Sequence, residues 1–303
     1  MTGISRIAVV GGGLMGTGIA QIFAVAGYPV TLFEPDADVR ASVRTRAAAN
    51  LRMTGEDVAA ADRIAITDDL AAAVGTADYV TEAAPERLAL KRAIFADLIA
   101  LAPRTAILAS NTSVIPITRI AEGLDTAERI VGTHWWNPPY LIPLVEVVQA
   151  ERTSAATITT TMALLATVGK SPAHVRKDMP GFVANRLQHA LWREAIAMVA
   201  EGVCDAATLD SCVKNSFGLR LPVLGPLENA DLVGLDLTLD IHKTMIPELD
   251  HHTTPNAYLE DKVAEGRLGF KSGEGFRVWT DEEMLELRTK LVNHLVKARR
   301  DRA

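Results

Sequence analysis

The sequence predicts a two-part chain: an α/β domain, with a parallel sheet covered by helices on both faces, then an all-helical domain. Three observations carry this. Short β-branched runs alternate with helical stretches through the first half. Beyond about Glu151 the apolar residues recur instead at three- and four-residue steps. The chain has 303 residues, 49% of them hydrophobic, which at about 150 residues per domain points to two domains. Such a chain buries roughly three-quarters of its unfolded surface and needs no disulfide or metal to hold a core.

Ile7–Val10 opens the sheet and Leu14–Ala26 follows as a helix. Val30–Phe33 is the second strand, and Val39–Met53, rich in Ala and Arg, the second helix. Ile64–Thr67, Tyr79–Thr81, Ala106–Leu108 and Ile130–Gly132 read as further strands, with Leu88–Leu101 and Ile117–Ala121 as helices between them. Thr153–Val168 is helical, and Ala173–Val175 is a last strand. Pro180-Gly181 then opens a long helix, Phe182–Gly202, with Phe182, Leu187, Leu191, Ala195 and Met198 on its apolar stripe. Helices at Ala206–Ser216, Ala230–Met245, Asn256–Glu265 and Glu282–Arg299 complete the chain. Asp178, Pro180 and Gly181 break the pattern, so the domains are expected at residues 1–179 and 180–303. Apolar faces on so many helices point to self-association.

A formal net charge of -6 argues against nucleic acid, whose phosphates need a basic surface. The longest apolar runs fall far short of the ~18 residues of a membrane span. The start, MTGISRIAVVGGG, does not read as a signal peptide. Cys204 and Cys212 make neither a disulfide framework nor a thiolate metal site, which suits a cytoplasmic compartment. His251-His252 lies among loop residues without a carboxylate at ligand spacing, so no metal is expected.

Gly11-x-Gly13-x-x-Gly16 follows the first strand and precedes a helix that starts with Leu14 and Met15. In a Rossmann-type turn the first glycine makes the bend and the second lets the backbone approach a pyrophosphate. The third permits close helix–strand packing, and the helix N-terminus favours the anion. The second strand ends at Glu34, placed to accept hydrogen bonds from ribose hydroxyls. No basic residue follows until Arg40, so a 2′-phosphate would meet negative charge. The expected cofactor is NAD rather than NADP, although FAD shares the fingerprint.

Four polar segments stand out: Glu82-Ala-Ala-Pro-Glu86 with Lys91, Ser110-Asn111-Thr112-Ser113, His134-Trp135-Trp136-Asn137-Pro138 running into Leu144–Val148, and Pro180-Gly181-Phe182-Val183-Ala184-Asn185-Arg186. With Gly225-Pro226-Leu227-Glu228, Asp231–Asp236 and Lys271-Ser-Gly-Glu-Gly-Phe276, they stand in an order that resembles the 3-hydroxyacyl-CoA dehydrogenase family over nearly the whole chain. The resemblance implies an NAD-binding Rossmann-type domain and a helical domain that forms a homodimer. It also implies that His134 is the catalytic base and Glu146 its partner, and that Ser113 and Asn185 hold the substrate oxygen. Glu86, Lys91, Ser113, Asn137 and Lys271 become cofactor contacts.

The chemistry points the same way. Oxidising a hydroxyl needs a base for its proton while a hydride leaves, and a histidine titrates near neutrality. A carboxylate on the other ring nitrogen fixes the tautomer. Taken alone, His134 reads as a core histidine, Glu146 as a polar position on a strand and Asn185 as a cap. One stretch departs from the family. Arg40–Asp62, where acyl-CoA members are rich in lysine, has none, and carries Glu56, Asp57 and Asp62. Such acids cost affinity for the phosphates of CoA. The expected substrate is a 3-hydroxyacyl compound. The alternative is a small CoA-free hydroxy acid of carnitine or sugar-acid type, or a ring-bearing alcohol or aldehyde oxidised through its hydrate. A non-enzymatic, crystallin-like protein is the reading from another class; the set His134, Glu146, Ser113 and Asn185 argues against it.

Overall fold

The computed structural model describes residues 3–302. The chain forms two compact units, Met1–Asn185 with Val292–Ala303, and Arg186–Leu291. The expected division at 179/180 differs from these units in the short Pro180–Asn185 stretch and in the last turns of the final helix. The latter count with the first unit, where Arg299 pairs with Glu56.

In the first unit the strands are β1 (Ile7–Val10), β2 (Val30–Phe33), β3 (Ile64–Thr67), β4 (Tyr79–Glu82), β5 (Ile107–Ser110), β6 (Ile130–Trp135), β7 (Leu144–Val148) and β8 (Ser171–Val175). The helices are α1 (Leu14–Val25), α2 (Ala37–Thr54), α3 (Leu70–Val74), α4 (Leu88–Leu101), α5 (Ile117–Ala121) and α6 (Ala155–Thr167). Among the described residues the strands make one sheet in the order β3-β2-β1-β4-β5-β6-β7-β8. All neighbours are parallel except β6 and β7. The chain winds one way from β1 to β3 and the other way from β4, so the crevice for a ligand opens at the carboxyl ends of β1 and β4. Both faces are covered. One apolar cluster gathers Val9, Phe23, Leu32 and Trp135, the other Val10, Val80, Phe95 and Leu108. β1, β4 and β5 are therefore buried throughout, as central parallel strands require.

The sequence reading missed the short α3 and the 3-10 turn Val58–Arg63, each started by an aspartate cap, Asp69 and Asp57. It also stopped β6 three residues early. The strand runs on through His134 because β7 returns beside it.

The second unit continues α7 (Ala184–Ala200) and holds α8 (Ala206–Lys214), α9 (Pro226–Val233), α10 (Leu235–Met245), α11 (Ala257–Ala264) and most of α12 (Asp281–Arg300). Two expectations change. α7 begins at Ala184 rather than Phe182, because Phe182 is left-handed at φ 51°. The single helix expected over Ala230–Met245 is two, interrupted where Gly234 takes φ 105°. α8, α9 and α10 bury no residue at all.

Candidate active site

The glycine turn sits where β1 meets α1. Gly11 has φ 103°, and a Cβ there would lie 2.8 Å from Ala83 O. At Gly16 a Cβ would fall 1.8 Å from Gly11 O, so only glycine lets the helix start this close to the strand. At Gly13 a Cβ would meet nothing within 4 Å: the backbone faces open space there. No side chain caps α1, and Leu14 and Met15 form its first turn. These uncapped amides fit the pyrophosphate of a dinucleotide. Glu34, at the end of β2, accepts from Gly12 N–H at 2.7 Å and Asp36 N–H at 2.9 Å. Arg46, which the sequence reading did not single out, reaches from α2 to the carbonyl of Gly12.

His134 and Glu146 are twelve residues apart because β6 and β7 pair antiparallel and place them opposite each other. His134 Nδ1 lies 2.7 Å from Glu146 Oε2. A carboxylate only accepts, so Nδ1 carries the proton and Nε2 is left as a base. The residues are 4% and 1% exposed. The other oxygen, Oε1, accepts from the backbone N–H groups of Val183 (2.9 Å) and Ala184 (3.1 Å) at the start of α7. Burial pushes the Glu146 carboxyl up. The bonds from His134 and the two helix amides outweigh it, and the carboxyl ends below the usual glutamate range.

Two aromatic rings flank His134. Trp136 lies 5.3 Å away and Phe182 5.6 Å, centroid to centroid. The indole N–H of Trp136 also points to Glu146 Oε2 at 3.4 Å. Trp135 faces the other way, into the core beside Phe23, as strand alternation demands. From the sequence the two tryptophans are expected to pack under the site, with one of them open to lining it, and the structure brings Trp136 to His134; Phe182 was not picked out, though the P-G-F sequence was the available signal.

Ser113 is exposed just beyond β5. Its carbonyl accepts from Asn185 Nδ2 at 3.0 Å, so the two residues expected at the substrate oxygen are neighbours. Asn137 is exposed after β6. Lys271 is exposed in the second unit. Glu86 holds the turn after β5: its Oε1 accepts from Ser113 N–H at 2.9 Å, from Val114 N–H at 3.1 Å and from the Thr112 hydroxyl. Burial raises the Glu86 carboxyl, but these bonds and Lys91 prevail and hold it low. Lys91 has an entirely buried side chain, its ammonium 2.7 Å from Glu82 Oε1 and 3.5 Å from Glu86 Oε2. It stands under the turn rather than on a surface that a cofactor reaches. Glu82, equally buried, went unassigned by the sequence reading.

A cleft of about 890 Å³ lies between α2, the Val58–Arg63 turn and β3. Arg40, Arg44 and Arg52 line it. Arg40 pairs with Asp68 and Arg44 with Asp62. Glu56 pairs with Arg299, and Asp57 caps the 3-10 turn.

No cluster of three or more His, Cys, Asp and Glu that could hold a metal occurs among the described residues. No helix there is long and apolar enough to cross a membrane.

The family model of the 3-hydroxyacyl-CoA dehydrogenase NAD binding domain matches residues 6–179, and that of the C-terminal domain residues 181–279. The chain is 35% identical over 304 residues to 5-formyl-3-hydroxy-2-methylpyridine 4-carboxylate 5-dehydrogenase of Mesorhizobium japonicum, covering 98% of each chain. It is 42% identical over 236 residues to an L-carnitine dehydrogenase of Streptomyces griseus, covering 76% of this chain and 70% of that one. A solved structure of 5-formyl-3-hydroxy-2-methylpyridine 4-carboxylic acid 5-dehydrogenase, an NAD+ dependent dismutase, superposes with a TM-score of 0.90 at 34% identity over 98% of both chains.

Proposed function

Since the chain belongs to the 3-hydroxyacyl-CoA dehydrogenase family and is an NAD-dependent oxidoreductase, we propose that its substrate is a small CoA-free compound, a ring-bearing aldehyde or a hydroxy acid. One observation carries this. The stretch Arg40–Asp62 has no lysine, and Arg40 and Arg44 are already paired with Asp68 and Asp62. With Glu56, Asp57 and Asp62 in the same stretch, the positive charge left there for the diphosphate and 3′-phosphate of CoA rests on Arg46 and Arg52. The likeness over whole chains to an enzyme of a formylpyridine carboxylate, and the identity with a carnitine dehydrogenase, support the same reading. The second reading, a 3-hydroxyacyl-CoA, is supported by the ordered family motifs and by 38% identity over 282 residues to a probable 3-hydroxybutyryl-CoA dehydrogenase of Bacillus subtilis.

In this reading His134 Nε2 takes the proton of the reacting hydroxyl, which is a secondary alcohol or one hydroxyl of a hydrated aldehyde. Glu146 keeps the ring in that tautomer and stabilises the imidazolium. Ser113 and Asn185 hold the reacting oxygen. NAD, when bound, accepts the hydride. Gly11, Gly13, Leu14, Met15, Gly16 and Glu34 hold it, with Asn137 and Lys271 as further contacts and Glu86 acting on it through the Ser113 turn. Residues 1–179 form the NAD-binding domain, which also carries His134, Glu146 and Ser113, and 180–303 form the helical domain of the substrate side and a homodimer. The free cysteines Cys204 and Cys212 support a cytoplasmic setting.

A panel read by NADH absorbance tests the substrate class. Acetoacetyl-CoA reduction is compared with turnover of carnitine-like acids and pyridine carboxaldehydes. The expected result is a kcat/KM for a CoA-free compound at least about tenfold above that for the CoA ester. A preference for acetoacetyl-CoA returns the chain to the 3-hydroxyacyl reading.

A further inference from the structure

We propose that Glu82, acting with the buried ammonium of Lys91, is a positioning residue that fixes Ser113 beside the glycine turn; this rests on the role given to Ser113 above. β4 lies between β1 and β5, so its last residue, Glu82, is in register with Val10 on one side and Ser110 on the other. Val10 leads into Gly11, and Ser110 leads into Asn111-Thr112-Ser113. Glu82 thus ends the strand that lies between the two segments leading into the loops the reaction needs.

Its two oxygens divide the work. Oε2 accepts from Ser110 Oγ at 2.7 Å. Oε1 accepts from Lys91 Nζ and from Ala84 N–H, both at 2.7 Å. Lys91 Nζ also donates to Ala84 O at 3.2 Å and faces Glu86 Oε2. Glu86 in turn holds the amides of Ser113 and Val114. One ammonium therefore serves two carboxylates, and the Ser113 turn is gripped at both ends. The neighbouring Ala83 carbonyl packs on Gly11, as the 2.8 Å approach of a Cβ built there shows. Glu82 and the Lys91 side chain are wholly buried, so water does not screen their pair, and the partly exposed Glu86 carries the link on to the Ser113 turn.

A displacement of about 1 Å in a reacting group costs about 10²-fold in rate, so the network is read through Ser113. The test is a double-mutant cycle with Glu82→Gln and Ser113→Ala, measured as kcat/KM on the fastest substrate of the panel, with thermal melts confirming the fold. Glu82→Gln is expected to lower kcat at least about tenfold while the KM for NAD changes less than about threefold. In the Ser113→Ala background it is expected to add nothing. Effects that multiply would mean that Glu82 only stabilises the sheet, and would overturn the proposal. So would full activity of Glu82→Gln. A silent Ser113→Ala would remove the role of Ser113 itself, and this inference with it. Should Glu82→Gln fail to fold, Ser110→Ala removes one bond of the network and leaves the Lys91 pair intact. It is expected to give a smaller loss that likewise vanishes in Ser113→Ala, and a multiplying loss overturns the proposal equally.

Discussion

His134 gains its chemistry from its partners rather than from its own identity. The carboxylate on Nδ1 is itself tied to two amides at a helix start, so the ring keeps one orientation and one tautomer. Replacing His134 with Gln preserves size and polarity but removes the base. The expected outcome is a fall in kcat of at least about 10²-fold with the NAD affinity from fluorescence titration nearly unchanged. Near-normal turnover would sink the assignment. The neighbouring aromatic residues illustrate how far residue identity alone reaches. Trp135 and Trp136 are adjacent and chemically the same, yet strand alternation sends one into the core and the other to the dyad.

Between β6 and β7 the connecting loop carries Asn137, and Lys170 holds it from outside. Its ammonium donates to the carbonyls of Pro139 and Ile142. Burial lowers the Lys170 pKa, Arg299 adds to this, and Glu56 opposes it, leaving about 8 against an ordinary 10.5. Between these values the unfolded chain binds more protons than the folded one, so stability rises with pH there. Below about 8 the lysine is charged in both states, and its burial weighs against the fold. Wild type is expected to gain melting temperature relative to Lys170→Met as pH rises from 8 towards 10.5. Parallel melting curves would show that this lysine does not titrate with folding.

At the scale of the whole molecule, the second unit stands out by what it leaves uncovered. Leu227 and Leu232 on α9, and Leu235 and Leu239 on α10, are 78%, 71%, 64% and 57% exposed. Exposed leucines of this kind fit the proposed homodimer, with a second copy of the chain as their occupant. Leu235→Asp with Leu239→Asp is expected to convert a dimer into a monomer in light scattering. A monomeric wild type would count against the homodimer.

The sequence by itself determined the two-part organisation, most of the strands and helices of the first unit, and the cofactor turn. These are local: glycines at fixed spacing, β-branched runs and capped helices report on the backbone around them. His134 and Glu146 could be matched through the family resemblance, but their contact belongs to the pairing of β6 with β7. Only the tertiary structure decided that Glu82 is part of the site. A glutamate at a strand end is an ordinary surface residue until strands from three distant segments close around it, and then its burial forces it to find Lys91 and Ser110. The same holds for the arginines of Arg40–Asp62. Their count was legible in the chain, but whether they were free to meet a phosphate depended on where Asp62 and Asp68 came to rest.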